Sequence, residues 1–274
     1  MKKILLTGAT GFVGRQILRA LDSRHAKVAL VVRPEKTSSV DNFGAVSEIH
    51  QSDDIFHESE EWWVSACEGV DTIIHCAWYA EPQGYVHSDR NLECLAGSLI
   101  MAKGAVKAGV KRVVGVGTCL EYDLARRCLP IETHLNPMST YAATKAALYF
   151  TLKEWLKQND VDFVWCRLFF LFGENEDDRR LTPYLHDRLS RQLVAKIENG
   201  DAIRDFLDVV EAGRRIAEAA LGEESGAINI CSGIPITIKQ YALNIARQYD
   251  AEHLLEFSPT DRLKCYNPQR IVGR

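Results

Sequence analysis

The sequence lacks any apolar run long enough to cross a membrane and any excess of positive charge. Its first apolar stretch, residues 4–6, ends at once in a glycine-rich turn, which excludes the apolar core of a signal peptide. No later stretch approaches the roughly 20 residues of a membrane-spanning helix. With a formal net charge of -4, the chain has no basic field for nucleic acid. We therefore expect neither a membrane nor a nucleic-acid partner.

The cysteines lack the spacing of a metal site. All eight occur singly, with no CxxC pair and no histidine at zinc-ligand spacing, at positions 67, 76, 94, 119, 128, 166, 231 and 265. This pattern is typical of reduced thiols. Cysteines stay reduced in the cytosol, where disulfides are rare. We predict a cytoplasmic protein without a metal centre.

What the sequence does contain is an alternation of short apolar runs with amphipathic segments. Hydrophobic residues make up 46% of the 274 residues, enough for a large core. The runs predicted as strands are 4–6, 28–32, 72–77, 113–116 and 163–170, and the predicted helices are 14–23, 92–108 and 139–159. Such alternation is typical of an α/β fold with a doubly wound parallel sheet of the Rossmann type.

A glycine-rich loop stands between the first predicted strand and the first predicted helix. It reads Thr7-Gly8-Ala9-Thr10-Gly11-Phe12-Val13-Gly14. Glycines at this spacing let the backbone turn tightly and approach a pyrophosphate, which the amides at the helix N-terminus then bind. Because both the strand and the helix are present, the loop predicts a dinucleotide site rather than a simple tight turn.

A tyrosine and a lysine lie four residues apart in the predicted helix 139–159. Tyr141 and Lys145 therefore share one helix face. There the ammonium is expected to lower the tyrosine pKa from its usual value of about 10. A tyrosine tuned in this way passes a proton to or from an alcohol or sugar oxygen near neutral pH. Beside the glycine loop, the pair predicts acid–base catalysis.

These motifs together resemble the extended short-chain dehydrogenase/reductase family, in its branch of nucleotide-sugar epimerases, dehydratases and ketoreductases. Further landmarks run through nearly the whole chain: His75-Cys76-Ala77, residues 108–112, residues 117–122, residues 167–173, Arg204-Asp205-Phe206 and residues 229–233. The resemblance implies three catalytic residues, Thr118, Tyr141 and Lys145. Thr118 would donate to the substrate carbonyl oxygen as negative charge develops there.

The resemblance also implies which residues contact the cofactor. They are Gly8, Thr10, Gly11, Phe12, Val13, Gly14, Arg33, Asp54, Ile55, Cys76, Ala77, Trp78, Tyr141 and Lys145. In this family the residue that ends the second strand reads the adenosine ribose. Arg33 holds that position and suits a 2′-phosphate, which favours NADP. The alternative is a surface arginine and NAD as the cofactor.

On the substrate side, the resemblance implies an anion site and an aromatic wall. Arg180 and Arg204 would meet a diphosphate, and the stretch from Trp78 to Tyr85 would line the sugar pocket. The expected substrate contacts are Trp78, Tyr85, Thr118, Cys119, Phe169, Arg180 and Arg204. Cys119 is interpreted as structural, because it lies one residue before the position where 3,5-epimerase/reductases of the family carry their cysteine.

These features favour an NADPH-dependent reductase of a nucleotide-linked 4-keto-6-deoxyhexose, with Tyr141 as the proton donor. Sugar 4,6-dehydratases of the family place an acidic pair after the catalytic threonine, and here Cys119 and Leu120 stand there. A redox-neutral, NAD-dependent 4-epimerase is the first alternative, and a catalytically silent dinucleotide sensor is the second. Cys94 stands where many relatives carry an asparagine, and Asn91 lies three residues before it.

A change in composition after Gly173 predicts where the chain divides into two parts. Residues 174–180 are polar and dense in charge. The expected division is 1–172 for the dinucleotide-binding domain and 173–274 mainly for a smaller substrate-binding lobe, with segments that return to the first domain. The resemblance implies a homodimer through helices 92–108 and 139–159, where relatives form a four-helix interface, with a monomer as the alternative.

Overall fold

The computed structural model describes residues 2–82, 84–258 and 268–274 of the chain. These residues contain thirteen strands and seven α-helices. The strands are β1 (Lys3–Thr7), β2 (Lys27–Val32), β3 (Val46–Gln51), β4 (Thr72–His75), β5 (Arg112–Thr118), β6 (Asp162–Leu168), β7 (Phe170–Phe172), β8 (Ala195–Glu198), β9 (Ile203–Asp208), β10 (Gly226–Ile230), β11 (Pro235–Thr237), β12 (Leu255–Ser258) and β13 (Arg270–Ile271). The helices are α1 (Phe12–Asp22), α2 (Glu60–Ala66), α3 (Arg90–Lys107), α4 (Thr140–Gln158), α5 (Leu181–Ser190), α6 (Val209–Leu221) and α7 (Ile238–Ala246). Gln83 and Cys265 lie outside the described residues.

Seven strands form one parallel sheet in the order β3-β2-β1-β4-β5-β6-β10. Side chains alternate between the two faces of each strand. In β1, Ile4 and Leu6 pack on the side of α1 and α6, while Leu5 packs on the side of α2, α3 and α4. The strand order reverses between β1 and β4, so the carboxyl ends of these two strands open a crevice. The predicted Rossmann doubly wound sheet is confirmed.

The strand boundaries differ from the predicted ones at specific points. β4 ends at His75, and the amide of Ala77 instead donates to the Thr7 hydroxyl at 3.3 Å. The apolar run 163–170 divides, because the amide of Phe169 donates to the carbonyl of Ile230 and the chain then enters a second sheet as β7. The sequence gives no signal for β3 and β10, which are edge strands with mostly half-buried or exposed side chains.

Residues after 172 divide between the Rossmann sheet and a smaller layer. α6 packs against α1, and β10 extends the large sheet. The smaller layer holds the sheet β11-β9-β13, with β7 beside β9, and the strand pair β12-β8. α5, α7 and β8 share an apolar cluster there. Among the helices described, none is long and apolar enough to span a membrane.

Candidate active site

The glycine loop lies at the carboxyl end of β1, in the crevice beside β4. Gly8 has a φ of 74°, and a Cβ there would lie 2.8 Å from the backbone nitrogen of Ala77. Gly14 leaves no room for a Cβ against the carbonyl of Gly8. α1 begins with no side-chain cap and no acid in its first turn, so its first amides are available to an anion. The remaining loop residues are the exposed Gly11 and the half-buried Thr10, Phe12 and Val13. The loop therefore fits a dinucleotide pyrophosphate.

A chain of buried hydrogen bonds holds the turn after β4 against this loop. The Thr7 hydroxyl accepts from the amide of Ala77 and lies 3.0 Å from His75 Nδ1. His75 Nε2 lies 2.8 Å from Ser98 Oγ, which donates to the carbonyl of Cys94 at 2.6 Å. Burial lowers the pKa of His75 to about 3, so the imidazole is neutral. The chain fixes the predicted cofactor-side turn at residues 76–78 to both β1 and α3.

Thr118 and Tyr141 meet where β5 ends and α4 begins. The Ser139 side chain caps α4 by accepting from the amide of Ala142 at 3.2 Å, which places Tyr141 in the first turn. Thr118 is buried, and its hydroxyl lies close enough to Tyr141 to stabilise a phenolate there. Burial raises the pKa of Tyr141, and the Thr118 hydroxyl opposes the rise only in part. At neutral pH Tyr141 is therefore a protonated phenol, the form that donates a proton.

Lys145 lies one turn after Tyr141 but is bound elsewhere. Its Nζ donates to the carbonyl of Val116 at 2.6 Å and lies 3.8 Å from the ring centroid of Trp78. Burial lowers the pKa of Lys145 to about 8. The expectation that this ammonium lowers the Tyr141 pKa is wrong, because burial dominates at Tyr141. The structure instead places Trp78, a predicted cofactor and substrate contact, directly on the lysine.

A buried carboxylate that sequence reasoning missed anchors the end of β5. Glu121 is 0% exposed, and its Oε1 accepts from the amide of Thr118 at 2.8 Å and from Trp165 Nε1 at 3.1 Å. Its Oε2 accepts from Arg167 Nε at 2.7 Å. Thr118 and Glu121 form a capping box around a short turn, and the underlying Thr-x-x-Glu spacing is visible in the sequence. The pairing of Glu121 with Arg167, on β6, is not visible in the sequence, because the two residues lie far apart in the chain.

The residues expected around the adenosine follow β2 and β3 at the same edge of the sheet. Arg33 directly follows β2, with its side chain 64% exposed and its Nη1 3.6 Å from Glu35. Asp54 follows β3, and its carboxylate accepts from Arg90 at 2.7 Å. Burial opposes but does not cancel the hydrogen bonds that lower the Asp54 pKa. Ile55 packs against the apolar cluster under α3 and α4.

Tyr85 connects Tyr141 to the smaller layer. Its ring lies 4.8 Å from that of Tyr141 in an edge-on arrangement of 83°. The guanidinium carbon of Arg180, at the start of α5, lies 5.9 Å from the centroid of the Tyr85 ring. The neighbouring Arg179 forms an ion pair with Glu81. The structure thus brings Arg180 and Tyr85, both predicted on the substrate side, close together.

The other predicted substrate contacts lie deeper, below the end of β5. Arg204 is buried, donates to the carbonyl of Ile203 at 2.9 Å and lies 5.3 Å from the Phe170 ring centroid. Cys119 and Phe169 share one apolar cluster. Burial raises the pKa of the Cys119 thiol, which leaves it protonated. These positions agree with the structural interpretation of Cys119 and place Phe169 in packing rather than on an open surface.

Fold and site together define a Rossmann-fold enzyme of the short-chain dehydrogenase/reductase type. The chain belongs to the NAD dependent epimerase/dehydratase family, whose model matches residues 4–231. The predicted family resemblance and the prediction of an enzyme are confirmed.

Relatives match nearly the whole chain. The dTDP-6-deoxy-L-talose 4-dehydrogenase (NAD(+)) of Aggregatibacter actinomycetemcomitans is 25% identical over 93% of this chain and 92% of its own. The dTDP-glucose 4,6-dehydratase of Streptomyces niveus is 23% identical over 91% of this chain and 78% of its own. The crystal structure of UDP-glucose 4-epimerase from Thermotoga maritima with UDP-glucose has a TM-score of 0.86 at 18% identity, over 99% of this chain and 89% of that one. At such identity the structural likeness establishes the fold alone.

Proposed function

We propose that this protein reduces the keto group of a nucleotide-linked sugar with NADPH, and that the sugar is a 4-keto-6-deoxyhexose. The observation that carries the proposal is the buried Thr118 beside the half-buried, protonated Tyr141 at the sheet edge. Both are hydrogen-bond donors, which suits a carbonyl oxygen that gains negative charge. The relative named as a dTDP-6-deoxy-L-talose 4-dehydrogenase supports this substrate class, because dehydrogenation at carbon 4 is the reverse of keto reduction there.

In this mechanism each residue of the site has a separate task. When bound, the dinucleotide supplies the hydride that the keto carbon gains. Tyr141 donates its phenolic proton to the keto oxygen, and Thr118 donates a hydrogen bond to the same oxygen. Lys145, protonated below a pH of about 8, donates to the carbonyl of Val116 and lies against the Trp78 ring, so that it holds the wall of the site one turn after Tyr141. Arg180 and Arg204 hold the diphosphate of the substrate.

The NADP preference rests on Arg33, and its removal tests it. We expect Arg33→Ala to weaken NADPH binding by about 10- to 100-fold, the range of a lost hydrogen bond to a charged group. NADH binding is expected to stay unchanged, because NADH has no 2′-phosphate. Titration of both dinucleotides by fluorescence measures the two affinities.

The matched control for Arg33 is Arg191→Ala. Arg191 has a side chain 67% exposed and a single ion pair with Asp187, which resembles the pairing of Arg33 with Glu35. We expect this variant to bind both dinucleotides normally. Equal loss of NADPH and NADH in Arg33→Ala, or no loss of either, contradicts an NADP-specific role.

A 4-epimerase is the second candidate, because the family to which the chain belongs is named for NAD-dependent epimerases as well as dehydratases. It differs in its redox balance, because an epimerase returns the hydride that it removes. An epimerase is expected to copurify with NAD and to convert substrate without net NADPH consumption. Absorbance at the reduced nicotinamide band, followed with product analysis on the same sample, separates the two reactions.

We further propose a homodimer through α3 and α4. Four of the seven large apolar side chains exposed in the described residues lie on or beside these helices: Leu92, Ile100, Met138 and Phe150. Leu92 and Met138 line an open groove between the two helices, with Pro137 among its residues. On α4, Ala143 and Ala147 continue the face of Phe150 at helical spacing. This face suits the same face of a second copy.

Charge introduced on this face tests the dimer. We expect Phe150→Glu to convert a dimer into a monomer in light scattering, because an apolar interface core does not accommodate an unpaired carboxylate. Val210→Glu is the control, since Val210 on α6 has the same 54% exposure as Phe150. A monomeric unaltered protein, or a dimer that survives Phe150→Glu, contradicts the proposal.

A further inference from the structure

Asn91 is a fully buried amide in the first turn of α3 with all three of its side-chain hydrogen bonds on one loop. It is 0% exposed. Its Nδ2 donates to the carbonyl of Tyr85 at 2.6 Å and to that of Ser88 at 2.8 Å. Its Oδ1 accepts from Trp78 Nε1 at 2.8 Å. A flipped amide would set its oxygen against two carbonyl oxygens and its nitrogen against an N–H, so only one orientation is compatible with these partners.

The two aromatic residues that Asn91 holds each contact one side chain of the proposed catalytic pair. Trp78 presents its ring to Lys145 Nζ at 3.8 Å, a cation–π contact in a buried setting. Tyr85 packs edge-on against Tyr141, with ring centroids 4.8 Å apart. Asn91 itself touches neither Lys145 nor Tyr141 through a hydrogen bond. One amide thus holds the indole of Trp78 directly and the backbone that carries the Tyr85 ring.

We propose that Asn91 is a positioning residue, which sets Lys145 through Trp78 and Tyr141 through Tyr85. The inference rests on the proposed function, because it assigns Asn91 to the same catalytic pair. Its physical basis is that a buried amide with satisfied partners admits a single arrangement of the three residues it binds, Trp78, Tyr85 and Ser88. Loss of the amide frees both rings at once, and a misplaced catalytic group costs rate rather than affinity.

The test compares Asn91→Ala with Met101→Ala. Met101 is also fully buried on α3, packs in the core and controls for a general loss of stability. We expect Asn91→Ala to lower kcat by about 10- to 100-fold with a smaller change in KM. The emission of Trp78, isolated by subtracting the spectrum of the matching Trp78→Phe variant, is expected to shift to longer wavelength as water reaches the indole. Met101→Ala is expected to change neither.

Asn91→Asp separates the bond with Trp78 from the bonds to Tyr85 and Ser88. It also serves as the test if Asn91→Ala does not fold. The carboxylate keeps an acceptor for Trp78 but loses the donors to Tyr85 and Ser88. We expect unchanged Trp78 emission with a lowered kcat. We expect the emission of Trp78 to change with pH as Lys145 titrates, because the ammonium lies against the indole. Cys76, Cys94 and Glu121 also face that ammonium. The change in emission that is lost in Lys145→Met is the one caused by Lys145.

The outcomes distinguish this inference from the proposed function. Trp78 emission in Asn91→Ala equal to that of the unaltered protein, or a kcat no lower than that of Met101→Ala, overturns the positioning role. An emission shift in Asn91→Asp as large as in Asn91→Ala also overturns the assignment of Oδ1 to Trp78. The emission is measured without substrate. It therefore tests whether Asn91 positions Trp78 even if Tyr141→Phe retains turnover and the proposed function fails.

Discussion

Tyr141→Phe is expected to lower kcat by about 10²- to 10⁴-fold, the range that a positioned general acid contributes. The phenyl ring keeps the edge-on contact with Tyr85, so the substitution removes the hydroxyl and leaves the packing. Burial keeps the Tyr141 pKa above its ordinary value, so the hydroxyl carries its proton throughout the neutral range. Stopped-flow turnover with a keto-sugar substrate measures the loss, and dinucleotide titration shows that binding is retained.

Tyr149→Phe is the control for this substitution. Tyr149 lies two turns further along α4 and packs against Phe163, with ring centroids 6.3 Å apart. Removal of its hydroxyl changes the same atoms on the same helix at a distance from Thr118. We expect turnover close to that of the unaltered protein. Full activity in Tyr141→Phe, or an equal loss in both variants, contradicts a proton-donor role for Tyr141.

The parts of the fold and site that were predictable are those encoded by neighbouring residues. The strand, glycine turn and helix of residues 3–22 follow one another directly, and each has a local signal. The spacing of Tyr141 and Lys145 depends only on the helical period. The Thr118 capping box is equally local, although its glutamate was not assigned a role.

The parts that were not predictable depend on contacts between distant residues. Lys145 was expected to act on Tyr141, but Val116 and Trp78 engage its ammonium, and neither is adjacent to it in sequence. In the sequence Asn91 stands out only as a displaced asparagine, because its bond with Trp78 joins residues that the fold, and not the chain order, brings together. Edge strands such as β3 escape detection for a related reason, since partial exposure removes the continuous apolar run.

Arg167→Met is expected to lower the free energy of unfolding at neutral pH by about 3–5 kcal/mol, the cost of leaving one member of a buried ion pair alone. Arg167 is 2% exposed and Glu121 0% exposed, and no other basic side chain in the described hydrogen bonds reaches this carboxylate. Arg167 also lies 4.8 Å above the ring of Tyr122. Urea denaturation measures the loss. An equally small change in Arg167→Met and in Arg19→Met, which breaks an exposed pair with Glu174, contradicts the expectation.

The same variant has a defined pH dependence. Burial already raises the pKa of Glu121, and Arg167 opposes that rise, so its removal raises the folded-state pKa further. The unfolded chain binds this proton only below a pH of about 4.3. A group with a raised folded pKa contributes stability at low pH and loses it as the pH rises through that pKa. The deficit of Arg167→Met is therefore expected to shrink as the pH falls from 7 toward 4. Because Glu121 also holds the amide of Thr118, kcat is expected to fall with stability in this variant, which links the buried pair to the position of the proposed hydrogen-bond donor.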